Sequence, residues 1–203
     1  EEDAIILPSS NASMWFSMPP EEKLIAQLSA SAIDIYERCP LRFKLERDWR
    51  MPREIPAALH YGTAMHRALL AYSDAIRLKR DISNEAVIDV FRTLLADAAI
   101  QDRYQHDLYL RQGIEQLTAF LECARRSPSP QVLETEASFT IEIGDATIRG
   151  RIDRMDRLEA GGDAVIDYKT GPCATRDWMG ARPEEPQLPM YALARGASVA
   201  AVA

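Results

Sequence analysis

Asp163-Ala-Val-Ile-Asp-Tyr-Lys-Thr-Gly171 is the stretch that decides the fold of this chain. Its apolar run Ala164-Val165-Ile166 is entered from Gly161-Gly162 and left through Gly171-Pro172, the pattern of a buried strand bounded by turns. A strand sends alternate side chains to opposite faces, so Asp167 and Lys169 project one way and Tyr168 the other. A carboxylate and an ammonium then share one small space. Asp153 stands fourteen residues before Asp167. If it comes from a neighbouring strand, two carboxylates are available to a hard divalent cation with a lysine beside them, which is what metal-assisted phosphodiester hydrolysis requires.

Working outward, Leu133 to Ile143 and Thr147 to Leu158 have the pattern of strands joined through Gly144-Asp145, and Asp163 to Lys169 that of a third. Together they predict an antiparallel meander. Upstream the period changes. Ser29 or Ser31 can cap a helix carrying Ile33, Tyr36 and Cys39, and Pro40 forces a break before Leu41 to Leu45. A second helix is expected to follow Gly62-Thr63, with Met65, Leu69, Tyr72 and Ile76 along one face. Two more fit about Glu85 to Ala99 and Gln105 to Arg125, and Pro128 and Pro130 end the helical pattern. Past the third strand a polar loop runs to Pro186. Gln187 to Arg195 then suits a helix, and Ser198 to Ala203 a last strand. Residues 1–28 mix prolines, serines and acids without sustained period, which suggests a linker or surface arm. The first residue is not Met and the end is abrupt and apolar, so the expectation is a fragment of a longer chain.

With 203 residues, 47% of them hydrophobic, the chain can bury one ordinary core. No apolar run reaches the roughly 20 residues of a membrane span, and the start lacks the order of a signal peptide. Cys39, Cys123 and Cys173 are too few and too widely spaced for a disulfide framework. A cytoplasmic protein with reduced thiols is expected. The formal charge of -7, from 24 Lys+Arg and 31 Asp+Glu, argues against a protein that coats nucleic acid nonspecifically. The basic residues are nevertheless concentrated: Arg149, Arg151, Arg154 and Arg157 bracket Asp153, and Arg42, Lys44, Arg47, Arg50 and Arg53 could follow phosphates.

Several residues are secondary candidates. His66 is expected just inside a helix start capped by Thr63, where the positive helix end keeps imidazole neutral and able to ligate a metal, although a lone helical histidine is commonly structural. Gln187 and Tyr191, four apart, share a helical face and could hydrogen-bond the lysine, a phosphate or the DNA backbone; for Tyr191 the alternative is packing on the sheet. Asp156 has the opposite strand parity from Asp153 and is the weaker ligand. Glu134 and Glu136 could add an outer carboxylate, or simply be a solvated strand edge.

Five motifs occur in order: Ser29-Ala-Ser-Ala-Ile-Asp-Ile-Tyr-Glu-Arg-Cys-Pro-Leu-Arg-Phe43, Gly62-Thr-Ala-Met-His66, Gly150-Arg-Ile-Asp153, Ile166-Asp-Tyr-Lys-Thr-Gly171 and Gln187-Leu-Pro-Met-Tyr191. Over about residue 29 to the end, at residue 203, the chain resembles the RecB-like branch of the PD-(D/E)XK nuclease superfamily, which includes AddB-type C-terminal domains and nuclease domains fused to UvrD-like helicases. The resemblance implies an α/β fold, a restriction-endonuclease-like core with a mixed central sheet flanked by helices, acting on DNA with Mg²⁺ or Mn²⁺. By the same resemblance His66, Asp153 and Asp167 would hold metal, Lys169 would position or activate the attacking water, and Gln187 and Tyr191 would be accessory. Many relatives carry an iron–sulfur cluster on a cysteine matching Cys39 and three more beyond the Gln-x-x-x-Tyr helix. Such a cluster needs four thiolates. No cysteine follows Tyr191 and Cys173 precedes it, so no cluster is expected in this chain. The leading expectation is the nuclease module, an exonuclease by type, of a helicase–nuclease in DNA repair or recombination. A noncatalytic DNA-binding module of the same fold, or a scaffold whose acidic surface docks a helicase, is the alternative.

Overall fold

The computed structural model describes residues 27–52, 54–159, 161–170, 187–195 and 199–202. Readings that fall on the acidic arm up to residue 26, on Arg53 and on Cys173 lie outside these residues. The element order is β1 (Gln27–Leu28), α1 (Ala30–Arg38), α2 (Pro40–Phe43), a π-helical turn (Lys44–Asp48), α3 (Ala57–Arg77), α4 (Asn84–Ala96), α5 (Arg103–Arg126), β2 (Gln131–Ile143), β3 (Ala146–Arg157), β4 (Asp163–Ile166), α6 (Gln187–Arg195) and β5 (Val199–Val202). The fold is α/β: a mixed sheet flanked by helices, with a helical N-terminal half. Among the described residues no helix is long and apolar enough to cross a membrane.

Local chemistry accounts for most boundaries. Ser29 caps α1 by accepting a hydrogen bond from Ala32 N at 3.2 Å, and Pro40 takes the first position of α2, where a missing N–H costs nothing. The main departure is α3. It starts at Ala57, five residues before Gly62, so Thr63 is not a cap; its hydroxyl donates to Leu59 O within the helix at 2.9 Å. His66 consequently sits in mid-helix, away from the positive end, and the dipole argument for a neutral imidazole fails. Gly62 allows a close approach instead: a Cβ there would stand 3.2 Å from Thr170 Oγ1, just past β4. Helices α3, α4 and α5 enclose Tyr61, Met65, Leu69, Phe91, Leu117 and Leu121. Leu117 and Leu121 are fully buried, each contributing about 1.5–3 kcal/mol of transfer free energy.

Strands β2, β3 and β4 form the expected antiparallel meander, while β1 runs parallel to β3 and β5 parallel to β4. β2 occupies one edge of β3 along its length. The other edge is shared: β1 covers Thr147 and Ile148, β4 covers Arg154 to Arg157, and between them neither strand pairs. Asp153 lies at the end of that interval. On the β2 side the register runs Thr135↔Arg154 and Ala137↔Ile152, skipping Glu136 opposite Asp153. Glu136 has φ 50, a left-handed backbone that breaks a strand locally. Among the described residues, Asp153 is therefore the one position of β3 with no ladder partner on either edge.

The break also switches faces. Ala137, Phe139 and Ile152 pack in an apolar cluster with Tyr191 of α6. Thr135, two residues before Ala137, instead donates to Asp74 of α3 at 2.6 Å. Likewise Ile152 and Met155, three apart, share the α6 cluster, whereas strict alternation would separate them. Gly150 opposes Phe139, whose ring would lie 2.3 Å from a Cβ at that position. The glycine leaves room for the ring.

β4 ends at Ile166, so Asp167 and Lys169 follow the strand rather than close it.

Candidate active site

The site forms where β3 loses its partners and the chain leaves β4. One more step of the β3–β4 register beyond Arg154↔Ile166 sets Asp153 across from Asp167. Tyr168 N donates to Asp153 Oδ2 at 2.9 Å, tying the segment after β4 to the interrupted point of β3. His66 Nδ1 approaches the same oxygen from α3 at 3.3 Å. Tyr191, buried on Phe139 with ring centroids 5.4 Å apart, donates its hydroxyl to Asp167 Oδ1 at 3.2 Å. Lys169 Nζ lies 2.6 Å from Asp167 Oδ2. Its side chain is 55% exposed against 5% for Asp167, so the ammonium stands between a buried carboxylate and solvent.

Five of the sequence candidates are thus drawn together: His66, Asp153, Asp167, Lys169 and Tyr191. Gln187 opens the helix that carries Tyr191, but its side chain lies outside the described residues. Glu134 and Glu136 stay apart from the site. Glu134 pairs with Arg195 and Glu136 with Arg151, the latter at 2.6 Å; these are surface ion pairs.

The two aspartates differ electrostatically. Burial alone would raise the Asp153 pKa, but the hydrogen bonds from His66 and Tyr168 N, with the charges of His66 and Lys169, outweigh it and hold the carboxyl below its ordinary range. For Asp167 burial prevails over the stabilising contacts with Lys169 and Tyr191, and the neighbouring Asp153 charge adds to it, so the carboxyl is raised. His66 is raised chiefly by its hydrogen bond to Asp153, against a lowering by burial. The shift is toward the cationic imidazole, the opposite direction from the one expected at a helix start.

Behind the carboxylates lies a network that the sequence did not disclose. Arg154 clamps Asp156 in two hydrogen bonds, Nε to Oδ1 at 2.7 Å and Nη2 to Oδ2 at 2.5 Å, with both side chains buried. Its Nη1 donates to Tyr168 OH at 3.3 Å, and that hydroxyl lies 3.2 Å from Ser73 Oγ of α3. Arg154 is therefore no phosphate contact. Of its neighbours, Arg151 is engaged by Glu136 and Arg157 by Asp163 at 3.1 Å, so the basic stretch around Asp153 is largely committed to ion pairs. The one sequence signal was the spacing Arg154-x-Asp156, same-face on a strand, together with the reversed parity of Tyr168.

Among the described residues no three His, Cys, Asp or Glu side chains are close enough to make a ready cation cage. His66 and Lys169 rest on the two carboxylates instead. The donor chemistry still suits a hard divalent cation: two carboxylates and an imidazole, with Asp167 buried.

Comparison with known proteins places the chain in a family. Residues 27–202 match the model of the PD-(D/E)XK nuclease superfamily. The chain is similar to one of the subunits of the ATP-dependent helicase/deoxyribonuclease of Streptococcus agalactiae strains, 32% identical over 123 residues, covering 57% of this chain and 11% of that protein. It therefore spans about a tenth of the length of those relatives. It is also similar to the "Gene 69 protein" of Mycobacterium phage L5, 26% identical over 220 residues, covering 87% of this chain and 73% of that protein. The chain belongs to the PD-(D/E)XK nuclease superfamily.

Proposed function

We propose that this chain is a divalent-metal-dependent deoxyribonuclease, an exonuclease module that works beside a UvrD-like helicase in DNA repair or recombination. The observation that carries the reading is the pairing of Asp153, held anionic by His66 and Tyr168 N, with the buried Asp167 capped by the exposed Lys169. His66, Asp153 and Asp167 would hold Mg²⁺ or Mn²⁺, which would polarise the scissile phosphate and acidify water. Lys169, on the solvent side of Asp167, would meet an arriving phosphate and stabilise charge that develops on it. Tyr191 fixes Asp167 from the buried side through its hydroxyl, which limits the carboxylate to one orientation. Gln187, at the start of the same helix, would add a polar contact to the lysine or the DNA. Helicase association is supported by the name of the streptococcal relatives.

The test is incubation of the purified chain with end-labelled linear and circular DNA, single- and double-stranded, in Mn²⁺ or EDTA. Cleavage that needs metal and a free end is expected. Degradation that persists in EDTA, or in Asp167→Asn at the parental rate, would defeat the reading.

A further inference from the structure

We infer that Tyr168 is a positioning residue: its ring, locked through its hydroxyl by Arg154 and Ser73, fixes the relative placement of His66, Asp153 and Asp167. This rests on the nuclease reading only for the assignment of those three as metal ligands.

Each of the three meets Tyr168 directly. Asp167 precedes it in the chain, so one peptide bond joins them. Asp153 Oδ2 accepts a hydrogen bond from its backbone N at 2.9 Å. The His66 ring stands edge-on to its ring, with centroids 6.1 Å apart and planes at 90°. One residue therefore links α3, β3 and the end of β4, the three places from which the ligands come. A shift of Tyr168 disturbs all three contacts together.

The ring is fixed from behind. Arg154 Nε and Nη2 are both taken by Asp156, at 2.7 and 2.5 Å, and a guanidinium is planar, so the direction of its remaining Nη1 is set. That nitrogen donates to the Tyr168 hydroxyl at 3.3 Å. Arginine has no acceptor, so the phenol oxygen accepts here and its proton is left for Ser73 Oγ, 3.2 Å away. Ser73 is 1% exposed and Arg154 6%, which leaves water little room to compete. Phe120 of α5 adds a second edge-on ring contact, centroids 6.4 Å apart.

Filling this space does not require a hydroxyl. Tyr168 packs against the helical core, and phenylalanine would offer the same ring. What the hydroxyl adds is direction. An apolar ring can slide among nearly equivalent contacts, whereas one held by a serine and a clamped arginine has a single place. Metal ligation is sensitive on that scale, since a working constellation must be held within about 0.5 Å, and groups that orient metal ligands typically change affinity by about 10–100-fold when lost.

The test uses the full chain without DNA, titrated with Mn²⁺ while the free ion is followed by electron paramagnetic resonance. Tyr168→Phe should weaken Mn²⁺ binding by about tenfold, with circular dichroism showing it folded at the assay temperature. Mg²⁺, measured by competition, should lose more, because it demands near-ideal octahedral geometry. Ser73→Ala should weaken binding in the same direction. Tyr168→Phe/Ser73→Ala should be no worse than Tyr168→Phe alone, since the bond between the two hydroxyls is already gone. Val87→Ala on α4, which contributes no residue to the site, should lower the melting temperature yet keep parental affinity for both ions. In cleavage assays the Tyr168→Phe defect should shrink as Mn²⁺ is raised. Parental metal affinity in folded Tyr168→Phe, additive losses in the double variant, or an equal loss in Val87→Ala would overturn the proposal. A parent that binds Mn²⁺ and cleaves no DNA, beside a Tyr168→Phe that still binds more weakly, would defeat the nuclease reading and leave this one standing. A parent that cleaves, beside a Tyr168→Phe of parental affinity, would defeat this one alone.

Discussion

Replacing Arg154 by Met separates two roles that the sequence alone leaves confounded. On a strand rich in arginine the residue resembles a phosphate contact, but the structure buries it against Asp156. Met keeps much of the apolar stem and removes the guanidinium. Asp156 would then be a buried carboxylate without its partner, a loss of about 3–5 kcal/mol, and Tyr168 would lose a hydrogen bond contributing about 0.5–1.5 kcal/mol. Against a total stability of about 5–15 kcal/mol for an ordinary domain, this is about a quarter or more. The assay is equilibrium urea unfolding by circular dichroism. With an m value of about 1–3 kcal/mol/M, the midpoint should fall by more than about 1 M. Arg154→Met/Asp156→Leu should recover most of the loss, since an apolar pair can replace a buried ion pair. An unchanged urea midpoint combined with weakened DNA binding would refute the reasoning and return Arg154 to the DNA surface.

Asp167→Asn and Lys169→Ala should each reduce cleavage on the order of a hundredfold or more while melting near the parent; steady-state rates in Mn²⁺ beside thermal scans check both. His66 gives a pH signature in the metal-free protein. Its folded pKa lies above the unfolded value, so its stabilising contact with Asp153 is fully present below about 6.5 and is lost as pH rises through the raised folded value. Melting in EDTA from pH 5 to 8 should show this fall, and His66→Gln should flatten it. Metal affinity should run the opposite way, rising with pH as the cation displaces the proton, and an unaltered profile in His66→Gln would count against both statements. Gly150→Ala drives a methyl into the Phe139 ring, 2.3 Å away, and should cost about 1–3 kcal/mol by urea unfolding; Phe139→Leu in the same chain should return part of it.

The elements were legible where a local rule was strong. Ser29 as a cap, Pro40 as a break, Gly144-Asp145 as a hairpin and the apolar run before Asp167 each act over a few residues, and each appears where the chain's own chemistry puts it. The start of α3 was not legible. Gly62 reads as a helix boundary because glycine is a poor helix former, yet it stands in mid-helix, where Thr170 approaches closely. Strand parity worked for Asp167, Tyr168 and Lys169: Lys169 meets Asp167, while Tyr168 turns to Arg154 and Ser73. Along β3 it could not, because the face switch at Asp153 depends on a left-handed Glu136 that no propensity foretells. The Arg154 clamp was hidden for a related reason: the same-face spacing to Asp156 is visible, but burial is a property of the packed helix α3.

The pairing of β1 with β3 joins Gln27 to Thr147, about 120 positions along the chain. Closing a loop of that size is among the slowest events available to a domain, because its entropy must be surrendered before any contact repays it. His66 must meet Asp153, and Tyr191 must reach Asp167, by closures nearly as distant in sequence or dependent on the last segments of the chain. The helical N-terminal half can form early from near neighbours. The constellation around Asp153 closes late, so a partly made or partly folded chain carries its carboxylates and lysine scattered, and the capacity to cut DNA is expected to arrive with the native state rather than before it.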